Sequence, residues 1–259
     1  MGIGLFLYDW INSLSPVRHA TALAHGAQVM AVEARYHLDP ELGLNRWLAM
    51  HLGLGRISAE YYDLAHFGVT LGFLAFVWWR HPSRFRFLRN SLAGMNGIGF
   101  VVFWLFPVAP PRMLPGFVDI VAVTHAATSL TSGSFASAAN QYAAMPSLHV
   151  AYAFWCAVAA WHITRGWPAS RARAVRILAM VHVVATVIII LATANHFTVD
   201  ALGGCATAAI SLASAAAWAR RRVAIDGPAR GRSGRAEASD RASHEELTAP
   251  VDNDDVLVS

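Results

Sequence analysis

Five apolar runs, roughly 61–79, 90–106, 147–164, 175–194 and 198–219, constrain this chain more than anything else in it. Each is close to the length a helix rising about 1.5 Å per residue needs to cross a hydrocarbon layer of about 30 Å. With 56% hydrophobic and only 14% charged residues, the chain has too little polar surface to dress so many apolar helices in water. The expected fold class is therefore all-α, a polytopic membrane helix bundle with five clear spans. Residues 2–14 are apolar but too short to cross, and are read as a shortened first span. They lack a basic leader and a cleavage site, so no cleavable signal is expected. Residues 17–38 and 41–51 are helix-prone, but Arg18, Glu33 and Arg35 argue against exposure to lipid. These are expected as amphipathic helices at the outer interface.

The connections sort by charge. All twenty basic residues are Arg. Arg80, Arg84, Arg86 and Arg89 fall in an 80–89 turn, Arg165, Arg171, Arg173 and Arg176 in a 165–176 turn, and Arg220, Arg221 and Arg222 follow the last run. The 107–146 loop has only Arg112, and 194–199 has none. The positive-inside rule makes the Arg-rich turns and the C-terminus cytoplasmic and puts the other two segments outside. This arrangement, in a cell membrane, accounts for the excess of basic over acidic residues without any nucleic-acid partner, for which the chain has no motif. Residues 1–222 are read as one transmembrane catalytic domain and 223–259, rich in Gly, Ser, Arg, Glu and Asp, as a disordered cytoplasmic tail. Cys156 and Cys205 lie inside apolar runs, where thiols are usually inert, and no disulfide framework is expected.

The outer face collects the chemistry. Met145-Pro146-Ser147-Leu148-His149 opens one apolar run and Asn195-His196-Phe197-Thr198-Val199-Asp200 opens another, while Phe106 to Arg112 leads into and begins the long loop. Asp200 stands one helical turn from His196, on the same face. Breaking a phosphoester needs a nucleophile, an acid for the leaving oxygen, and donors around the phosphoryl oxygens. His196 suits the nucleophile, Asp200 could hold its ring in the reactive tautomer, and His149 suits the acid. Both histidines stand at helix starts, whose free N–H groups favour a phosphate. Ser147 could cap its helix or donate to phosphate, and Arg112 offers a planar fork for two phosphoryl oxygens.

With these segments on the page, the sequence resembles the type 2 phosphatidic acid phosphatase (PAP2) superfamily over roughly residues 30–219. Ala109-Pro110-Pro111-Arg112, the 140–145 segment beginning Asn140-Gln141-Tyr142, and Tyr61-Tyr62 with His66 look like its inositol phosphorylceramide synthase (aureobasidin-resistance) branch. The resemblance implies a six-helix bundle, a phosphohistidine at His196 supported by Asp200, proton donation by His149, and no metal or other cofactor. Two departures stand out. There is no Lys for the usual Lys-x6-Arg-Pro motif, and Ile190 stands where an Arg usually precedes the nucleophile by six residues.

The expected function is an integral membrane lipid phosphotransferase acting on a phospholipid phosphoester or phosphodiester, with phosphoinositol transfer as the specific form. Its partners would be a membrane lipid and a hydroxyl acceptor such as a lipid or polyol. Tyr62, His66, Asn140 and Asn195 are candidates for the substrate cavity. A lipid phosphate phosphatase is the nearest alternative, and a non-enzymatic headgroup-binding or transport protein the next. His149, His196 and Asp200 are acceptable zinc ligands, yet His19, His25, His125, His162 and His182 show no metal-ligand spacing.

Overall fold

The structure, a computed structural model, describes residues 16–126 and 141–222. The expected short first span, the 223–259 tail and Asn140 lie outside the described residues. Those that are described form helices: α1 (Pro16–Arg35), α2 (Glu41–Ala49), α3 (Leu52–Arg80), α4 (Pro82–Leu105), α5 (Leu148–Ile163), α6 (Ala169–Ala192) and α7 (Thr198–Arg222). A 3-10 turn, Pro111–Met113, and a short helical turn, Ile120–Val123, interrupt the connection after α4. Contacts divide the chain at Ala215 and Ala216, inside α7; the second unit is described only as far as Arg222.

Among the described residues, two helices, α6 and α7, are long and apolar enough to cross a membrane. The other expected spans depart from that standard for visible reasons. Asp63, His66 and Thr70 dilute α3, three arginines and two asparagines dilute α4, and α5 has only 16 residues. The expected arginine turns are also shorter than their charge suggests. Only His81 separates α3 from α4, so Arg84, Arg86 and Arg89 are helical, as are Arg171, Arg173 and Arg176 on α6.

Only 22% of the most apolar stretch of α6 is buried, which is not how the core helix of a soluble protein behaves. Leu178, Val181, Val184 and Ile188 on α6, and Leu202 and Ile210 on α7, all point outward. An apolar coat on this scale suits lipid rather than water.

Inside the coat, Trp155 is fully buried among Val77, Leu88, Met95 and Ala208, where α3, α4, α5 and α7 meet. In lipid the hydrophobic effect no longer drives helices together, so close packing and interhelical hydrogen bonds must do so. Trp155 Nε1 donates to Ser91 Oγ (2.9 Å) and Ser211 Oγ donates to the Ser91 carbonyl (2.6 Å), tying α5, α4 and α7. Arg176 closes the far end: its Nε donates to Thr164 Oγ1 at 2.9 Å, and its guanidinium lies 4.0 Å over the Trp161 ring.

Glycine sets the closest approach. A Cβ on Gly204 of α7 would stand 2.3 Å from the Ser147 carbonyl oxygen, so only hydrogen lets α7 press on the start of α5. Helices α1 and α2 form where expected, and each buries polar as well as apolar side chains. Ala22, Glu33, Glu41, Asn45 and Leu48 are all buried. Asn45 donates to the carbonyls of Val118 and Ala192 (2.9 and 3.1 Å) and accepts from Val118 N–H (2.8 Å), fastening α2 to the end of α6.

Candidate active site

Helix α6 ends in a Schellman motif. Asn195 N–H donates to the Ile190 carbonyl and Ala194 N–H to that of Leu191, each at 3.0 Å. Ala194 takes the left-handed conformation that usually belongs to glycine, with φ 55°. The reversal aims Asn195 and His196 back into the protein, and α7 starts two residues later. On the facing side Ser147 caps α5, its Oγ accepting from Val150 N–H at 3.4 Å, which leaves His149 in the first turn. Ser147 N–H donates to the Asp200 carbonyl at 2.9 Å and locks the two helix starts together.

The histidines meet. His196 Nε2 lies 3.3 Å from His149 Nδ1, and the ring centroids are 5.4 Å apart. His196 Nδ1 is 2.8 Å from the carbonyl oxygen of Ala144. A carbonyl only accepts, so in the neutral ring Nδ1 carries the proton and Nε2 holds the lone pair. His149 Nδ1–H then donates to that lone pair.

Sequence reasoning assigned the tautomer to Asp200, whereas the hydrogen bond belongs to Ala144. Asp200 Oδ2 stands 3.5 Å from His196 Nδ1, close enough to stabilise positive charge on the ring. Its short hydrogen bond, 2.8 Å, is from Phe197 N–H, the N-cap interaction of α7. Glu33 Oε1 accepts Val199 N–H at 2.6 Å. These two N–H groups of the α7 start are thus occupied by carboxylates, and the expected phosphate cradle there is not open.

Arg112 is delivered by the 3-10 turn. Its N–H donates to the Ala194 carbonyl (2.8 Å), its Nη1 donates to Asn195 Oδ1, and its Nε lies 3.7 Å from Asp119 Oδ2. Its charge reaches Tyr62 and His149. Tyr62 stacks on His149 with centroids 4.1 Å apart, and the His66 ring packs against the same imidazole at 4.2 Å. Asn195 is buried, accepting from Arg112 and donating to Thr193 Oγ1 at 2.9 Å. Sequence reasoning missed the Ala144 carbonyl, the Asp119 brace, and both Glu33 and Glu41. Uncompensated carboxylates in apolar surroundings were the available signal for the glutamates.

A small cavity of about 10 Å³, walled by Tyr61, Tyr62, His66, His149 and Ile190, adjoins the histidines. A larger open groove of about 910 Å³ runs along the outer side of α6, from Trp161, Trp167 and Arg173 to Val184 and Ile188.

The structure thus brings His149, His196, Asp200 and Arg112 together at one end of a helical scaffold. The PAP2 superfamily model matches residues 27–214. The chain belongs to the PAP2 superfamily, whose members generally carry phosphatase or phosphotransferase activity. Neither the curated proteins nor the solved structures contain a match to it.

Proposed function

We propose that the protein is an integral membrane lipid phosphotransferase working through a phosphohistidine at His196. The observation that carries this reading is the Ala144-fixed tautomer, which turns the His196 Nε2 lone pair toward His149 Nδ1 at 3.3 Å. A phosphoryl group entering between the rings meets a nucleophile on one side and a proton on the other. His196 Nε2 attacks phosphorus, the bond to the leaving oxygen breaks, and His149, entering as the imidazolium, gives that oxygen its proton and becomes neutral. Arg112 offsets charge on the phosphoryl oxygens, and Asp200 offsets charge on the phosphorylated ring. His149 then takes the proton of an acceptor hydroxyl, whose oxygen attacks phosphorus and frees His196. No metal is required by these steps.

Two features favour transfer over hydrolysis. His196 is only 3% exposed, which restricts water at the phosphoenzyme. The usual Lys is missing and Ile190 replaces an Arg, so cationic charge is scarce. One Arg matches a singly charged phosphodiester better than a doubly charged phosphomonoester. That supports movement of a headgroup unit such as phosphoinositol onto a lipid or polyol hydroxyl. The charge pattern supports five spans in a cell membrane, with the histidine end outside and the arginine end cytoplasmic.

The test is to incubate purified protein with candidate phospholipids, with and without hydroxyl acceptors, and identify products by mass spectrometry. A headgroup-bearing product and an acid-labile phosphoenzyme absent from His196→Ala are expected. Inorganic phosphate alone would make the protein a phosphatase, and lipid binding without phosphoenzyme would make it a binding protein.

A further inference from the structure

We propose that Glu33 of α1 and Glu41 of α2 share one proton and act together as positioning residues that clamp the first turn of α7, and with it His196. The inference rests on the phosphotransferase reading for its catalytic consequence, but not for the clamp itself. Both carboxyls are buried, Glu33 at 0% and Glu41 at 1% exposure. Glu33 Oε1 accepts Val199 N–H at 2.6 Å, and Glu41 Oε2 accepts the Thr198 hydroxyl at 3.4 Å. The remaining oxygens, Glu33 Oε2 and Glu41 Oε1, are buried without a donor, although the two carboxyls are in hydrogen-bonding contact. Two buried carboxylate oxygens left without donors are costly, and a single proton shared by the pair lessens that cost.

The charges around the pair point the same way. Among the described residues, the ionisable groups acting on Glu33 are Glu41 from α2 and Asp200 from α7, both carboxylates. Three ionised carboxylates there would repel one another, and the positive end of α7 offsets that only in part. Burial, contact with Glu41 and the Asp200 charge raise the Glu33 carboxyl from an ordinary 4.5 to about 9. Its folded-state value lies above its unfolded one, so its stabilising contribution is full below about 4.5 and is lost as pH rises through about 9. Losing the proton restores the repulsion and loosens Val199 and Thr198, three and two residues from the His196 ring that they follow.

Glu33→Gln separates the clamp from simple packing. Its amide oxygen can keep the Val199 bond while its NH₂ donates to Glu41, with no proton to lose. Wild-type kcat should fall about tenfold from pH 8 to pH 10, as expected for one ionisation near 9, with KM little changed. Its Tm should fall as pH rises from about 4.5 to about 9 and level off above, while the exchange protection of the Val199 amide should fall between pH 8 and pH 10. In Glu33→Gln both profiles should be flat, whereas Glu33→Ala should be impaired at every pH. Identical pH profiles for wild type and Glu33→Gln in Tm and exchange would overturn the clamp. If no lipid is turned over, the functional reading fails, yet the Tm and exchange profiles still decide the clamp.

Discussion

Replacing Gly204 by Ala tests whether the approach of α7 to α5 builds the histidine pair. The new Cβ would sit 2.3 Å from the Ser147 carbonyl oxygen and 3.2 Å from the Ala151 nitrogen, backbone atoms of the α5 cap that no side-chain rotation can move. To restore ordinary contact α7 must retreat by about 1 Å, and overpacking of this kind typically costs about 1–3 kcal/mol. Ser147 is two residues from His149, and its N–H is tied to the Asp200 carbonyl four residues from His196. The retreat therefore reaches the 3.3 Å contact between the rings directly. A misplacement of about 1 Å in reacting groups can lower turnover by roughly 100-fold. The assay is lipid product formation by mass spectrometry, with thermal unfolding of the same samples. Gly203→Ala, whose Cβ would meet only the Pro146 ring at 3.3 Å, should lose far less, and Gly43→Ala, with nothing within 4 Å, should behave as wild type. Wild-type turnover in Gly204→Ala would refute the link between helix approach and site geometry.

Arg112→Lys keeps the charge but loses the planar fork, and only one of the Asn195 and Asp119 braces can be retained; turnover should fall at least tenfold, with loss of phosphoenzyme as the readout. Ser211→Ala removes one hydrogen bond to Ser91 and should destabilise the bundle by about 0.6 kcal/mol, up to about 1.7, as read by unfolding in detergent, while Trp155→Phe, which also leaves a cavity where the buried indole stood, should cost more. Ala194→Val places a β-branched, bulkier side chain at φ 55° in a fully buried turn, so little folded protein and no phosphoenzyme are expected by gel filtration and trapping.

The side chains of the site were more legible in the sequence than the backbone that arranges them. His149, His196 and Asp200 announce themselves by spacing, and Arg112 by its isolation in a long loop. The turn that presents His196 is hidden because its left-handed position holds Ala194, not the glycine that normally marks such an ending. Helix limits blurred where polar residues ride on spans, as Asp63 does on α3 and Arg84 on α4. Glu33 and Glu41 read as ordinary interfacial charges because their partners, Val199 and Thr198, lie more than 150 residues away. Asp200 was recognised, but its cap on Phe197 was not, since one carboxylate at that position serves both arrangements.

The Ala144 carbonyl, finally, is a control that no substitution can delete. Scanning mutagenesis would find His196, Asp200 and Arg112 and score Ala144 as a small buried residue of no chemical interest. Every amino acid supplies the same oxygen there, so the choice of reactive nitrogen is insulated from mutation of that side chain. It depends instead on where the strand of loop is held. That address is set by the reciprocal bonds of Val108 N–H to the Tyr142 carbonyl (2.9 Å) and Ala144 N–H to the Val108 carbonyl (3.3 Å). Backbone editing, such as an amide-to-ester replacement that removes the Ala144 N–H, would reach this control where codon changes cannot.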